Sequence, residues 1–393
     1  MKRACRTRRE EWLREKCQEI EELERVDSRL MTEKIREITG KKRAQRSTVI
    51  KDIDGTILME RNEVLNRWQQ YVGNLYRDDD RGAVELEDSE EGPAILRCEI
   101  EEAVRQMKWR KAEGSDGIVI EMIEAAGGIA IDKVLALANK IYRSGEIPEL
   151  MKEAEFMVIP KKEGATDCEK HRTISIMSQV SKIILKVIGL RMKNKIEQYV
   201  DDEQFGFRKG RGTRDAILVL RCIMERALEK QKDLYMCFVD FEKAFDTVKH
   251  GMLLETLRRY GVDGADIRLI AKLYWEQKAV IRIGDEKSGW VNIEKGVRQG
   301  CVLSPDLFSL YTQLVMDELA ELDGIRIGGR NVNNVRYADD MVLITDSEEK
   351  LQRLVSCLHE QCRIKGLRIN RSKTEVMGVT KRNESLVMNI NIE

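Results

Sequence analysis

The segment Val335-Arg336-Tyr337-Ala338-Asp339-Asp340-Met341-Val342-Leu343-Ile344 constrains this chain more than any other. Apolar, strand-forming residues flank two adjacent acids. Turn chemistry from Asn331 to Asn334 precedes them and Asp346-Ser347 follows, so the pattern predicts a hairpin over 332–345 with the acids at its tight turn. Successive side chains of a strand face opposite ways, and a turn is the natural way to aim neighbouring carboxylates at one place. Such carboxylates repel unless one is protonated or a cation lies between them, and a hard divalent cation with oxygen ligands relieves the repulsion. Alone, an Asp-Asp pair between strands is more often a solvated turn.

A second acid-bearing strand shifts that balance. Leu234 to Val239 is an apolar run ending in Asp240, and the chain continues Phe241-Glu242-Lys243-Ala244-Phe245-Asp246. An acid at the end of a buried strand, beside a hairpin carrying two more, predicts a three-carboxylate cluster of Asp240, Asp339 and Asp340. That is the arrangement of a two-metal phosphoryl-transfer site. Between the two acidic elements lies Gly296-Val297-Arg298-Gln299-Gly300-Cys301-Val302-Leu303-Ser304-Pro305. Ser304 suits a helix cap and Pro305 a first helical turn. The glycines let backbone approach a flat or charged ligand closely. A plain glycine-bounded loop is the competing reading.

In this order the three blocks resemble the palm of a reverse transcriptase, and most closely the non-LTR (LINE-type) retrotransposon enzymes. The resemblance covers roughly residues 95 to 380. It implies an α/β right-hand polymerase whose palm is an antiparallel, RRM-like sheet backed by helices, with helical and β fingers. The implied activity is RNA-directed DNA synthesis, with an RNA template, a DNA primer and deoxynucleoside triphosphates as partners and two Mg²⁺ or Mn²⁺ ions as cofactors. Asp240 and Asp339 would hold both ions, Asp340 would be a weaker ligand or an orienting charge, and the backbone carbonyl of Phe241 a further ligand. Gln299 and Gly300 would lie along the template or the nascent pair. Phe245 would sit under the sugar of the incoming nucleotide and exclude a 2′-hydroxyl, against a reading of it as core packed with Phe241 and Phe238. Asp246 reads as a cap or pairing residue near the next helix rather than a catalytic one. Lys373, in Arg371-Ser372-Lys373-Thr374, matches a lysine that the family holds near the leaving pyrophosphate.

Upstream, Phe156-Met157-Val158-Ile159 runs into Pro160-Lys161-Lys162, and a second strand follows Lys170-His171-Arg172-Thr173-Ile174. This resembles the fingers hairpin, whose cations grip triphosphate: Lys161, Lys162 and Arg172 are the candidates. The family typically has Asn-Tyr-Arg-Pro-Ile there, so the arginine is kept in an altered setting. Likewise Lys111-Ala112-Glu113-Gly114-Ser115-Asp116-Gly117-Ile118 carries Glu113 and Ser115 where the family has prolines, which predicts a less rigid turn. From Gln204 to Arg214, four cations (Arg208, Lys209, Arg211, Arg214) interleave with glycines and the rings of Phe205 and Phe207. Cations serve phosphates and rings serve bases, so this is the best nucleic-acid patch.

Net charge says less. Lys+Arg and Asp+Glu both number 69 in 393 residues, so nucleic-acid binding must rest on local patches, because phosphate neutralisation drives that affinity. Nine scattered cysteines without a Cys-x-x-Cys pair exclude a disulfide framework or a zinc knuckle and predict a reducing, intracellular setting, nucleus or cytoplasm. Three histidines make a histidine-based metal site a poor reading. No stretch approaches the ~18 apolar residues of a membrane span.

Domain organisation is read as an N-terminal helical linker region over 1–77, an acidic linker over 78–94, and a reverse transcriptase domain over 95–393. The fingers take about 95–232 and the palm about 233–380. A long helix is predicted over 9–39 and stops at Gly40; a basic cluster follows at 41–46, and Asp54-Gly55 marks a hairpin. The family's thumb and endonuclease are not visible, which suggests a piece of a larger polyprotein or a truncated copy. Two alternatives stay open: an inactive copy that only binds nucleic acid, and an RNA-dependent RNA polymerase. Phe245 and the Tyr337-Ala338 pair favour DNA as product. Oligomeric state, target site and priming mode are open.

Overall fold

The computed structural model describes residues 2–26, 30–31, 34–35, 49–83, 92–382, 386 and 388–392. They form two compact units, Met1–Met59 with Ile159–Arg172, and Glu60–Val158 with Thr173–Glu393. In the first, helix α1 spans Lys2–Val26, starting before the predicted 9–39 helix and overlapping it over 9–26. Gly40 and the basic cluster at 41–46 lie outside the described residues. Strands β1 (Ile50–Lys51) and β2 (Ile57–Leu58) pair antiparallel around the Asp54-Gly55 turn. Gly55 has φ +91° there, a conformation without steric cost only for glycine.

The tip of the next hairpin belongs to the same unit. Strands β3 (Glu153–Pro160) and β4 (His171–Ile176) flank it, and Lys161 N–H donates to Lys170 O at 2.8 Å.

The second unit holds the larger core. Its helices are α2 (Arg61–Tyr76), α3 (Arg97–Arg105), α4 (Ile120–Ser144), α5 (Glu149–Lys152), α6 (Gln179–Tyr199) and α7 (Thr213–Glu229), then α8 (Ala244–Thr247), α9 (His250–Arg259), α10 (Gly264–Trp275), α11 (Ser304–Asp317) and α12 (Glu348–Ile364). Helix α2, counted above with the N-terminal region, falls in this unit. It buries Val64, Leu65, Trp68, Val72 and Tyr76 at three- and four-residue steps, the spacing of one helix face. Between α3 and α4 the turn predicted at 114–117 forms without the family's prolines: Gly117, at φ +66°, donates to Gly114 O.

Four strands of this unit make one antiparallel sheet in the order β11-β12-β5-β13, where β5 is Leu234–Val239, β11 Asn334–Tyr337, β12 Asp340–Thr345 and β13 Glu375–Val379. Alternate residues of the two central strands enter different cores. Leu234, Met236, Val342 and Ile344 face a cluster with Ala216 and Ile223 of α7. Cys237, Val239, Met341 and Leu343 face the main cluster, which includes α9, α10, α11 and α12. Burial on both faces explains why these strands read as unbroken apolar runs.

A second sheet has the order β4-β3-β6-β7, with β8 also on β6 (β6 Lys278–Ile283, β7 Glu286–Lys287, β8 Val291–Asn292). The acidic hairpin starts at Asn334 rather than at 332. Val332 pairs instead with Ile325, in the ribbon of β9 (Ile325–Ile327) and β10 (Arg330–Val332). Asn333 breaks the run by donating its side-chain amide to Leu319 O and Leu322 O.

Candidate active site

The pairing of β5 with β12 sets Met341 opposite Val239. One step further on that register, Asp340 opposes Asp240 at the end of the ladder. Tyr337 pairs with Asp340 across the hairpin, so Ala338 and Asp339 form its two-residue loop. Ala338 takes φ +59°, as such tight loops require. The loop thus puts Asp339 and Asp340 beside the strand end that carries Asp240. Partial burial, and then the charge of Asp240, raise the pKa of the Asp340 carboxyl.

The backbone of Asp240 is held from behind. Asp240 N–H donates to Thr374 Oγ1 at 3.4 Å, Asp240 O accepts from Asn370 N–H at 2.8 Å and Glu242 N–H donates to Arg368 O at 2.8 Å. Residues 368–374 therefore run alongside the strand end, with Phe241 bridged to Ile369. This delivers Lys373, whose ammonium lies 3.2 Å from Asp240 Oδ2.

The hairpin loop rests on Gln204, which is fully buried. Its Oε1 accepts from Ala338 N–H at 2.9 Å and Gly206 N–H at 2.8 Å, and its Nε2 donates to Ala338 O at 3.4 Å. A Cβ on Gly206 would lie 2.2 Å from Ala338 N, so only glycine fits. Arg336, also buried, donates to Asp201 Oδ2 and Gln313 Oε1, both at 3.1 Å. Gln204, Gly206 and Arg336 are the support that sequence reasoning missed. The 204–214 stretch was legible as a patch, but nothing local says that its first residue is a buried prop.

That patch divides. The Arg208 guanidinium is spent inside the protein on Glu197 Oε2 at 2.8 and 3.0 Å and Asp201 O at 2.7 Å. Arg211 pairs with Asp202 Oδ1 at 2.8 Å and lies over the Phe205 ring. Lys209 and Arg214 are exposed and have no ion pair among the described residues. The 296–300 loop divides likewise: Arg298 is buried and donates to Met151 O and Lys152 O at 2.8 and 3.0 Å, capping α5. Gln299 donates from Nε2 to Asp246 Oδ1 at 2.8 Å, and Gly300 takes φ +102° with Ser175 O only 2.9 Å from where a Cβ would stand. Asp246 is thus a pairing residue. Phe245 stacks on Phe308 (centroids 4.3 Å apart) and meets Phe207 edge-on; the ring partners are not Phe241 and Phe238.

Lys161, Lys162 and Arg172 are exposed and lie in the first unit, whereas the carboxylates lie in the second. The Lys161 ammonium donates to Glu169 O at 3.3 Å.

Paired carboxylates are the donor set of a hard divalent cation. Among the described residues, no three His, Cys, Asp or Glu side chains are arranged to enclose one in this structure; the nearby positive charge is the Lys373 ammonium.

Residues 159–386 match the family described as Reverse transcriptase (RNA-dependent DNA polymerase). The chain belongs to the reverse transcriptase family. Reverse transcriptases generally use divalent metal ions, which suits the donor set at the ends of β5 and β12.

Among curated relatives, the transposon TX1 uncharacterized 149 kDa protein of Xenopus laevis is 26% identical over 82% of this chain and 26% of its own length. The Pol polyprotein of the type-1 retrotransposable element R2 of Nasonia vitripennis is 28% identical over 69% of the chain and 26% of its length. The RNA-directed DNA polymerase from the mobile element jockey of Drosophila funebris is 28% identical over 63% and 27%. These proteins of transposable elements, one of them named an RNA-directed DNA polymerase, bear out the resemblance read from the three sequence blocks. The chain spans about a quarter of the length of the relatives it matches. A telomerase structure from Candida tropicalis overlaps 60% of the chain at a TM-score of 0.46 and 14% identity. No helix among the described residues is long and apolar enough to cross a membrane.

Proposed function

We propose that this chain is the fingers-and-palm part of an RNA-directed DNA polymerase from a non-LTR retrotransposon. It would extend a DNA primer on an RNA template with deoxynucleoside triphosphates. The observation that carries this reading is the opposition of Asp340 to Asp240 at the end of the sheet, with Asp339 in the adjoining loop and Lys373 on Asp240.

Asp240 and Asp339, with Asp340 as a weaker ligand and the Phe241 carbonyl as a further one, would hold two Mg²⁺ or Mn²⁺ ions. Bound there, such ions would supply a lowered pKa for the attacking hydroxyl and positive charge against the phosphoryl group in transfer. The protein's own residues do the rest. The buried Gln204 fork keeps the acidic loop from moving. The 368–374 segment fixes the backbone of Asp240 and places the Lys373 ammonium where it can meet a departing pyrophosphate. Gln299 and Gly300 face the template or the nascent pair, and Phe245 lies under the sugar.

Primer extension on poly(rA)/oligo(dT) with Mg²⁺ or Mn²⁺ tests the proposal. Incorporation of dTTP that stops on chelation and in Asp240→Asn is the expected result. Nucleic-acid binding without any extension overturns it in favour of a binding-only copy. UTP used in preference to dTTP overturns it in favour of an RNA polymerase.

A further inference from the structure

The loop that carries Gln299 is stitched to the turn after β5 and to β4. Gly296 N–H donates to Val248 O at 2.7 Å and Val297 N–H to Phe245 O at 2.8 Å. Gln299 O accepts from Ser175 N–H at 2.7 Å. At the side-chain level, Gln299 Nε2 donates to Asp246 Oδ1 at 2.8 Å. The same Oδ1 accepts from the Tyr76 hydroxyl at 2.7 Å, and that hydroxyl lies 3.2 Å from Thr173 Oγ1. Asp246 and Tyr76 are 5% and 3% exposed. Burial, with the charge of Asp246, raises the pKa of the Tyr76 phenol well above its ordinary value, so it remains a donor. The backbone agrees: Glu294 N–H donates to Tyr76 O at 3.0 Å, and a Cβ on Gly296 would lie 2.9 Å from both Tyr76 Cε1 and Asp246 O.

An amide side chain can turn over and exchange its donor and acceptor ends. A carboxylate only accepts, so Asp246 fixes which end of Gln299 points inward and leaves Oε1 and the second N–H for another partner. We infer that Asp246 is a positioning residue for Gln299, braced by Tyr76, and that α2 is thereby part of the synthetic unit. Tyr76 precedes residues 159–386, the segment that matches the family, so the brace comes from a helix that the family match leaves out. The inference rests on the proposed role of Gln299 at the template or nascent pair.

The test uses the full chain in two arms. In single-nucleotide dTTP incorporation on poly(rA)/oligo(dT), Asp246→Ala raises KM for dTTP by about tenfold, the effect of losing a charge-assisted bond, with kcat changing less. Asp246→Asn keeps Oδ1 as acceptor and restores KM to within about threefold of wild type. Asp246→Ala combined with Gln299→Ala is no worse than Gln299→Ala alone, because one acts through the other. In the second arm, hydrogen–deuterium exchange at 296–300 quickens in Asp246→Ala and, less, in Tyr76→Phe, a change mild enough to keep the fold if the alanine variant does not. This arm needs no polymerase activity, which separates failure of the inference from failure of the polymerase reading. Unchanged exchange in both variants overturns the inference, as does a double variant whose loss is the product of the single losses. Gln299→Ala with wild-type incorporation also overturns it, by removing the contact that Asp246 would position.

Discussion

The ends of β5 and β12 and the stretch 204–214 carry a similar signal in sequence: charges set among aromatic, apolar and small residues. The fold uses them in opposite ways. At the strand ends, backbone bonds and the buried Gln204 fix the chain while Asp240 and Asp340 stand opposed, the pKa of Asp340 raised by burial and then by the charge of Asp240. In the stretch, Arg208 and Arg211 are consumed by Glu197 and Asp202, and Phe205 lies under Arg211. A cation already bonded inside the protein has little left for phosphate. Of the two opposed acids, Asp240 meets the Lys373 ammonium at 3.2 Å, while Asp340 has its pKa raised by burial and by Asp240, the kind of environment in which functional carboxylates are found.

The sharpest way to break this contrast is to remove an acid. Asp240→Ala or Asp339→Ala abolishes primer extension, by about a hundredfold or more, while circular dichroism and melting stay near wild type. Activity above a few per cent of wild type in either variant would remove that acid from the metal set. Next comes the prop. Gly206→Ala drives a methyl into the Ala338 amide and costs about 1–3 kcal/mol of stability, the range for overpacking, with extension lost in step; chemical denaturation measures it, and an unchanged midpoint would mean the loop yields.

Phe245 sharpens the comparison, since it is both stacked on Phe308 and proposed to face the sugar. Phe245→Val should raise the UTP/dTTP efficiency ratio by about tenfold, because the clash with the 2′-hydroxyl goes. Both efficiencies falling together at a constant ratio would leave the ring a packing residue. The smallest effect separates the cations. Lys209→Ala and Arg214→Ala should each lower the slope of log affinity against log salt by about one, with no change in melting. Arg208→Ala should lower the melting temperature and leave that slope alone. The reverse pattern would put Arg208 on the nucleic acid.

The acidic segments, the glutamine loop and the strands that carry them were legible because they are local. A buried strand announces itself as an apolar run, a tight turn by its residues, and an acid at a strand end by its place. The acidic hairpin was readable to within two residues of its start, where Asn333 and the β9–β10 ribbon move it, whereas the sheet order β11-β12-β5-β13 comes from the structure.

What only the tertiary structure decided is how each polar group is spent. Gln204 meets Ala338 and Asp246 meets Tyr76 across separations of 134 and 170 residues; Arg298 caps a helix formed by residues 149–152. Hydrogen bonding is directional and short-ranged, so a side chain's role is set by whichever backbone or carboxylate the fold carries within about 3 Å of it. Periodicity and turn chemistry report which face a residue takes, and partners over such separations leave no trace in either.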